Sequence, residues 1–128
     1  MILLARAARE RAYVPYSHFP VGAALIAADG SIYTGCNVEN ASYGLANCAE
    51  RTALFKMVSD GQQRFTAIAV IADTDGPCSP CGACRQVMSE FGPQARVILT
   101  NLKGDVQVTS VRELLPGAFT PTDLPPKG

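Results

Sequence analysis

The chain has 128 residues, 48% of them hydrophobic, which suits one domain over residues 1–128 with a buried core. Eleven Lys and Arg balance 11 Asp and Glu, with no Lys/Arg-rich run, which argues against nucleic acid as a partner. The apolar runs are strand-sized, too short to span a membrane, and the opening Met1-Ile2-Leu3-Leu4-Ala5-Arg6 is too soon charged for a secretory signal, so a cytoplasmic location is expected.

Leu3, Leu4, Ala7, Ala8 and Ala12 recur at helical spacing, with Arg6, Arg9 and Glu10 opposite. They predict a first amphipathic helix with the leucines inward, ended by Pro15. Residues 15–20 form a loop. Val21 to Ala28 and Ser31 to Cys36 read as strands joined by the Asp29-Gly30 turn, a strong hairpin signal. Asn37 to Asn47 is polar and aperiodic, hence a loop. Cys48 to Ser59 is a second helix with Ala49, Ala53, Met57 and Val58 on one face, stopped by Asp60-Gly61. Phe65 to Ala72 reads as a buried strand, and Asp73 to Pro80 as a turn-rich loop. Gly82 to Phe91 is a third helix with Ala83, Val87, Met88 and Phe91 inward, stopped by Gly92-Pro93. Arg96 to Thr100 and Val106 to Thr109 are strands around a Lys103-Gly104-Asp105 turn. Ser110 caps a short helix over Val111 to Leu115, and the proline-rich tail from Pro116 is irregular. The order α-β-β-α-β-α-β-β-α argues for a mixed sheet with helices on its faces. The first two strands pair antiparallel, and the later ones can run parallel through crossover helices.

Five cysteines is an odd count, and Cys78, Cys81 and Cys84 are equally spaced, which in a reducing compartment favours metal over disulfides. Cys48-Ala49-Glu50 and Pro80-Cys81-Gly82-Ala83-Cys84 carry the chemistry. Three cysteines can hold Zn²⁺ and leave its fourth position open, and an adjacent glutamate can move protons there. Cys48 and Cys81 lie at helix starts, and Cys81 and Cys84 share a face. The positive end of each helix favours thiolates. Three thiolates on Zn²⁺ leave a formal charge of −1. Arg51 is the expected offset, hydrogen-bonded to ligand sulfur, with Arg85 the other candidate. Pro77-Cys78-Ser79-Pro80-Cys81 is a second P-C-x-x-C, so Cys78/Cys81 is a formal rival to Cys81/Cys84. Pro80 blocks helix between the rival pair, which favours Cys81/Cys84.

These blocks resemble the cytidine deaminases of the small, homotetrameric, three-cysteine type. Ala12-Tyr13-Val14-Pro15-Tyr16-Ser17-His18-Phe19 with Val21-Gly22-Ala23-Ala24 is similar to the family's first segment. Gly35-Cys36-Asn37-Val38-Glu39-Asn40-Ala41-Ser42-Tyr43-Gly44 is similar to its nucleoside-binding segment. Cys48-Ala49-Glu50-Arg51-Thr52-Ala53 and Pro80-Cys81-Gly82-Ala83-Cys84-Arg85-Gln86 complete an ordered set of four. The resemblance implies a three-layer α/β/α sandwich around a mixed five-stranded sheet. It implies one zinc per subunit on Cys48, Cys81 and Cys84, with Glu50 as proton shuttle. Asn37 and Glu39 would bind the ribose 3′-hydroxyl, Phe19 would pack on the nucleoside, and Ala49 would line the site. Active sites would be shared in a homotetramer, with Ala41 and Tyr43 reaching a neighbour's ligand and Phe119 closing over the base. The implied reaction is attack of zinc-activated water on cytidine or 2′-deoxycytidine, releasing ammonia, in pyrimidine salvage.

Two readings compete. One is a deaminase of a cytosine-bearing antibiotic of the blasticidin type, which Asn37 and Glu39 argue against by suiting a free ribose. The other is a noncatalytic zinc module, closed by Cys36, Cys78 or His18 as fourth ligand, which would leave Glu50 unexplained.

Overall fold

A computed structural model describes residues 1–119. Its elements are α1 (Ile2–Arg9), β1 (Val21–Ala27), β2 (Ile32–Cys36), a 3₁₀ turn (Tyr43–Leu45), α2 (Ala49–Ser59), β3 (Phe65–Ala72), α3 (Gly82–Phe91), β4 (Arg96–Asn101), β5 (Val106–Ser110) and α4 (Val111–Leu114). The strands form one five-stranded sheet in the order β2-β1-β3-β4-β5. β1 lies antiparallel to both β2 and β3, β3 and β4 are parallel, and β4 and β5 are antiparallel. The α2 crossover therefore carries the chain past β1, while α3 links direct neighbours. The sheet is mixed, as the sequence predicts.

Alternation along the strands sorts the core onto two faces. Ala23, Leu25, Ile68, Val70, Val97 and Leu99 face α2, α3 and α4, packing with Ala53, Leu54, Met57, Met88 and Val111. Ala24, Ala69 and Ile71 face the other way, against Ala5 of α1. This gives three layers: α1, the sheet, and the remaining helices.

Two expected helix faces differ. Leu3 is 80% exposed and Leu4 41%, while Ala5 is fully buried. The cause is close approach. A Cβ on Gly22 of β1 would lie 2.0 Å from the Ala5 carbonyl oxygen and 2.7 Å from the Arg9 nitrogen. At that separation only small side chains fit beneath the helix, so the leucines turn outward. α1 also stops at Arg9 rather than near Ala12, in a turn over Glu10 and Arg11. On α3, Ala83 is exposed and Cys84 takes the inward position with Met88.

Gly35 is the counterpart of Gly22 on the opposite face. A Cβ there would meet the Ala49 carbonyl oxygen at 2.5 Å and the Ala53 nitrogen at 2.6 Å. The first turn of α2 thus lies directly on β2. Thr52 fastens the same junction, its hydroxyl donating to the Cys36 carbonyl at 2.9 Å and accepting from Asn47 Nδ2 at 3.1 Å.

Candidate metal centre and active site

Cys48 is the N-cap of α2 and Cys81 the N-cap of α3, both with extended backbone. α2 and α3 pack on the same face of the sheet, so their positive ends meet. Cys84, in the first turn of α3, completes the group, and the three sulfurs all lie within 4.8 Å of one another. Cys48 and Cys81 Sγ are 3.7 Å apart, and Cys81 and Cys84 Sγ 3.3 Å. Tetrahedral zinc with Zn–S of about 2.3 Å places neighbouring sulfurs about 3.8 Å apart. The donor set therefore fits one zinc ion per chain after only a small spreading of the sulfurs. Its chemistry agrees, since soft thiolates at helix N-termini select such an ion.

The sulfurs share their protons unevenly. The Cys48 thiol is drawn down to about 5, chiefly by a hydrogen bond from Cys84 and further by Arg51. Cys84 is pushed strongly upward, because it donates to Cys48 and because it is buried. Cys81 Sγ accepts the Cys84 backbone N–H at 3.4 Å, as an N-cap side chain does. Arg51 Nη2 donates to Cys48 Sγ at 3.3 Å. The other candidate cation is spent elsewhere. Arg85 donates to the Pro80 carbonyl at 3.0 Å, the Leu114 carbonyl at 2.8 Å and Ser79 Oγ at 2.8 Å, clipping the loop before α3 to the end of α4.

Glu50 is the second residue of α2 and only 4% exposed. Burial raises its carboxyl above the ordinary range, and the Cys48 sulfur adds to the effect. A carboxyl so placed holds a proton beside the sulfur cluster at higher pH than a free one does. Cys78 is buried outside the cluster, its N–H on the Thr100 carbonyl and its thiol pushed up to about 11 by burial. The rival Cys78/Cys81 pair is thereby set aside. Neither Cys36 nor His18 belongs to the sulfur group.

The expected nucleoside residues divide. Asn37 Oδ1 accepts the Val21 N–H at 2.8 Å, and its Nδ2 donates to the Phe19 carbonyl at 2.9 Å. Glu39 Oε1 accepts the N–H groups of Tyr16 and Ser17, both at 3.1 Å; the Ser17 hydroxyl first, and then these N–H groups, hold this carboxyl below its usual range. Phe19 is partly exposed at 41%. Ala41 and Tyr43 are exposed, with Tyr43 edge-on to Tyr16 at 6.1 Å between ring centroids. Ala49, the first residue of α2, is fully buried. Phe119 is exposed, and its carbonyl accepts from Gln86 Nε2 at 2.7 Å. A cavity of about 300 Å³ is lined by Tyr16, Ser17, Glu39, Asn40, Tyr43 and Ala46. A larger one of about 650 Å³, between β2 and α2, is lined by Tyr33, Thr52, Phe55, Lys56 and their neighbours rather than by the sulfurs.

Sequence reasoning passed over Ser17, whose Oγ accepts the Phe19 N–H at 3.1 Å. A serine between two prolines in a short loop is the available sign of such a turn.

Residues 1–100 match the cytidine and deoxycytidylate deaminase zinc-binding region. Among curated proteins, a cytidine deaminase of Sporosarcina psychrophila is 63% identical over 97% of this chain and 92% of its own length. One of Halalkalibacterium halodurans is 64% identical over 91% of this chain and 89% of its own. The crystal structure of a cytidine deaminase from Burkholderia pseudomallei superposes with a TM-score of 0.90 at 62% identity, covering 92% of this chain and 95% of that one. With three sulfurs gathered for zinc and a buried carboxyl beside them, the chain belongs to the cytidine and deoxycytidylate deaminase family of zinc-dependent hydrolytic enzymes.

Proposed function

We propose that the protein hydrolyses cytidine and 2′-deoxycytidine to uridine and 2′-deoxyuridine, releasing ammonia, as a salvage enzyme of the cytoplasm. The observation that carries this is Glu50, a buried carboxyl two residues from Cys48 at the convergence of three sulfurs. A closed structural site has no use for it. Cys48, Cys81 and Cys84 hold the ion, and zinc bound there supplies the Lewis acid that acidifies water at neutral pH. Glu50 takes one proton of the attacking water to the ring nitrogen, then carries the second, from the new hydroxyl group, to the departing amino group. Its burial favours the protonated form it needs for the second half of that task. Arg51 offsets the negative charge of the thiolates. The Glu39 carboxylate and the Asn37 amide are the polar groups offered to the ribose, and Phe19 packs on the nucleoside.

The whole chain, 1–128, acts as one catalytic domain, and four copies assemble so that each site borrows from its neighbours. Exposure of Tyr43 at 77% and Phe119 at 58% supports that arrangement, since neither ring is used within its own chain's core. The ultraviolet spectrum of cytidine tests the reaction. Zinc-loaded protein should convert it to that of uridine, and Glu50→Ala should be slower by about 10²–10⁴-fold while keeping its zinc. A flat trace from fully loaded protein would reject the reaction and turn attention to other cytosine-bearing substrates.

A further inference from the structure

The loop over residues 15–20 is tied down with unusual thoroughness for an exposed segment. His18 has a left-handed backbone at φ 55°, which a non-glycine residue rarely adopts. The residues on either side of it are fixed. The Tyr16 and Ser17 N–H groups point at one oxygen of Glu39, both at 3.1 Å. Past His18, the Phe19 N–H is held by Ser17 Oγ at 3.1 Å and the Phe19 carbonyl by Asn37 Nδ2 at 2.9 Å. The His18 N–H closes the turn onto the Val14 carbonyl at 3.0 Å. Both backbone groups of Phe19 are therefore bonded, one to Ser17 and one to Asn37. Backbone held outside its favoured region persists only where its surroundings over-determine it, and such places cluster at ligand clamps.

We propose that Ser17 is a positioning residue for the nucleoside. Its hydroxyl oxygen fixes the Phe19 backbone, and its own N–H docks on Glu39, so that the aromatic face and the ribose-binding carboxylate form one preorganised unit. The proposal rests on the reading of Phe19 and Glu39 as nucleoside contacts. Preorganisation lowers the ordering cost of binding, so its loss falls on KM more than on kcat. Ser17 bonds the backbone of Phe19, and the ring stands free to meet a ligand.

The test is a double-mutant cycle on zinc-loaded enzyme with cytidine as substrate. Ser17→Ala should raise KM about three- to tenfold with kcat nearly unchanged, the scale of one neutral hydrogen bond. Ser17→Thr, which keeps the oxygen, should restore most of the affinity. In a Phe19→Ala background, Ser17→Ala should have a smaller effect than in the wild type, because the ring it positions is gone and only its hydroxyl's hold on Glu39 remains. Full additivity of the two substitutions would overturn the proposal, as would an unchanged KM for Ser17→Ala when Phe19→Ala raises it. If Phe19→Ala itself leaves KM unchanged, the nucleoside-contact reading fails and the proposal falls with it. An inactive wild type would overturn both, and the Phe19→Ala control separates these cases.

Discussion

Arg51 places a positive charge against one sulfur of the cluster. Three thiolates outweigh the charge of Zn²⁺, and a net negative site is a weaker acidifier of water. A guanidinium whose Nη2 lies 3.3 Å from Cys48 Sγ draws charge from that sulfur and holds it in the thiolate form. Its Nε is buried without a hydrogen-bond partner among the described residues, so the side chain is held for this contact rather than for a network of its own. Arg51→Ala should weaken zinc binding by about 10–100-fold, the usual scale for a group supporting a metal ligand. Competition against a chromophoric chelator at fixed pH measures it. Unchanged affinity together with unchanged turnover would leave Arg51 without a role at the metal. Arg85→Ala is the contrast. It breaks the clip to Leu114 and should cost stability while zinc affinity stays near normal.

At the scale of elements, the site depends on how closely two helices lie on the sheet. Gly35 lets the Ala49 to Ala53 turn touch β2, and that turn carries Glu50 and follows Cys48. Gly35→Ala pushes backbone against backbone, which cannot yield as a flexible side chain would. It should destabilise by about 1–3 kcal/mol and displace Cys48 from the other sulfurs. The expected result is a Tm lower by several degrees with an additional loss of zinc affinity. Gly44→Ala, where an added Cβ meets nothing within 4 Å, should change neither. A Gly35→Ala protein with normal zinc affinity would show that the helix start has slack. Much of this was legible in the chain. The Asp29-Gly30 turn, the Asp60-Gly61 stop and the apolar run over Phe65–Ala72 each announce an element by local chemistry. Cys48 with Glu50 and Cys81 with Cys84 were legible as local spacings, whereas joining the two pieces across 33 residues rested on the resemblance to the deaminase family. The inward face of α1 was not. Leu3 and Leu4 make the more apolar stripe, yet contact distance decides the packing, and that distance is set by Gly22 in another element. The Ser17 and Glu39 latch was equally hidden, since it joins residues 22 apart in a segment without periodicity.

For the whole molecule the question is where one chain's site ends. Among the described residues no helix is long and apolar enough to cross a membrane, and the rings of Tyr43 and Phe119 are exposed. In the proposed assembly Tyr43 and Phe119 serve the sites of neighbours, whereas Glu50 serves its own. Damage to the two kinds of residue can then be repaired between chains. Glu50→Ala protomers lack the proton carrier but still present Tyr43. Tyr43→Ala protomers keep the proton carrier but lack the ring for their neighbours. Each should be impaired alone. Dissociated together and reassociated at equal ratio, they should regain activity above the sum of the separate proteins. Random assembly places an intact Glu50 and a neighbour's intact Tyr43 at about one quarter of the sites, which caps the recovery at about one quarter of the wild-type rate. Light scattering on the eluted peak checks that the mixture has the mass of the wild-type assembly. No recovery in a properly mixed assembly would mean that Tyr43 acts within its own chain, because two defects confined to separate sites cannot complement.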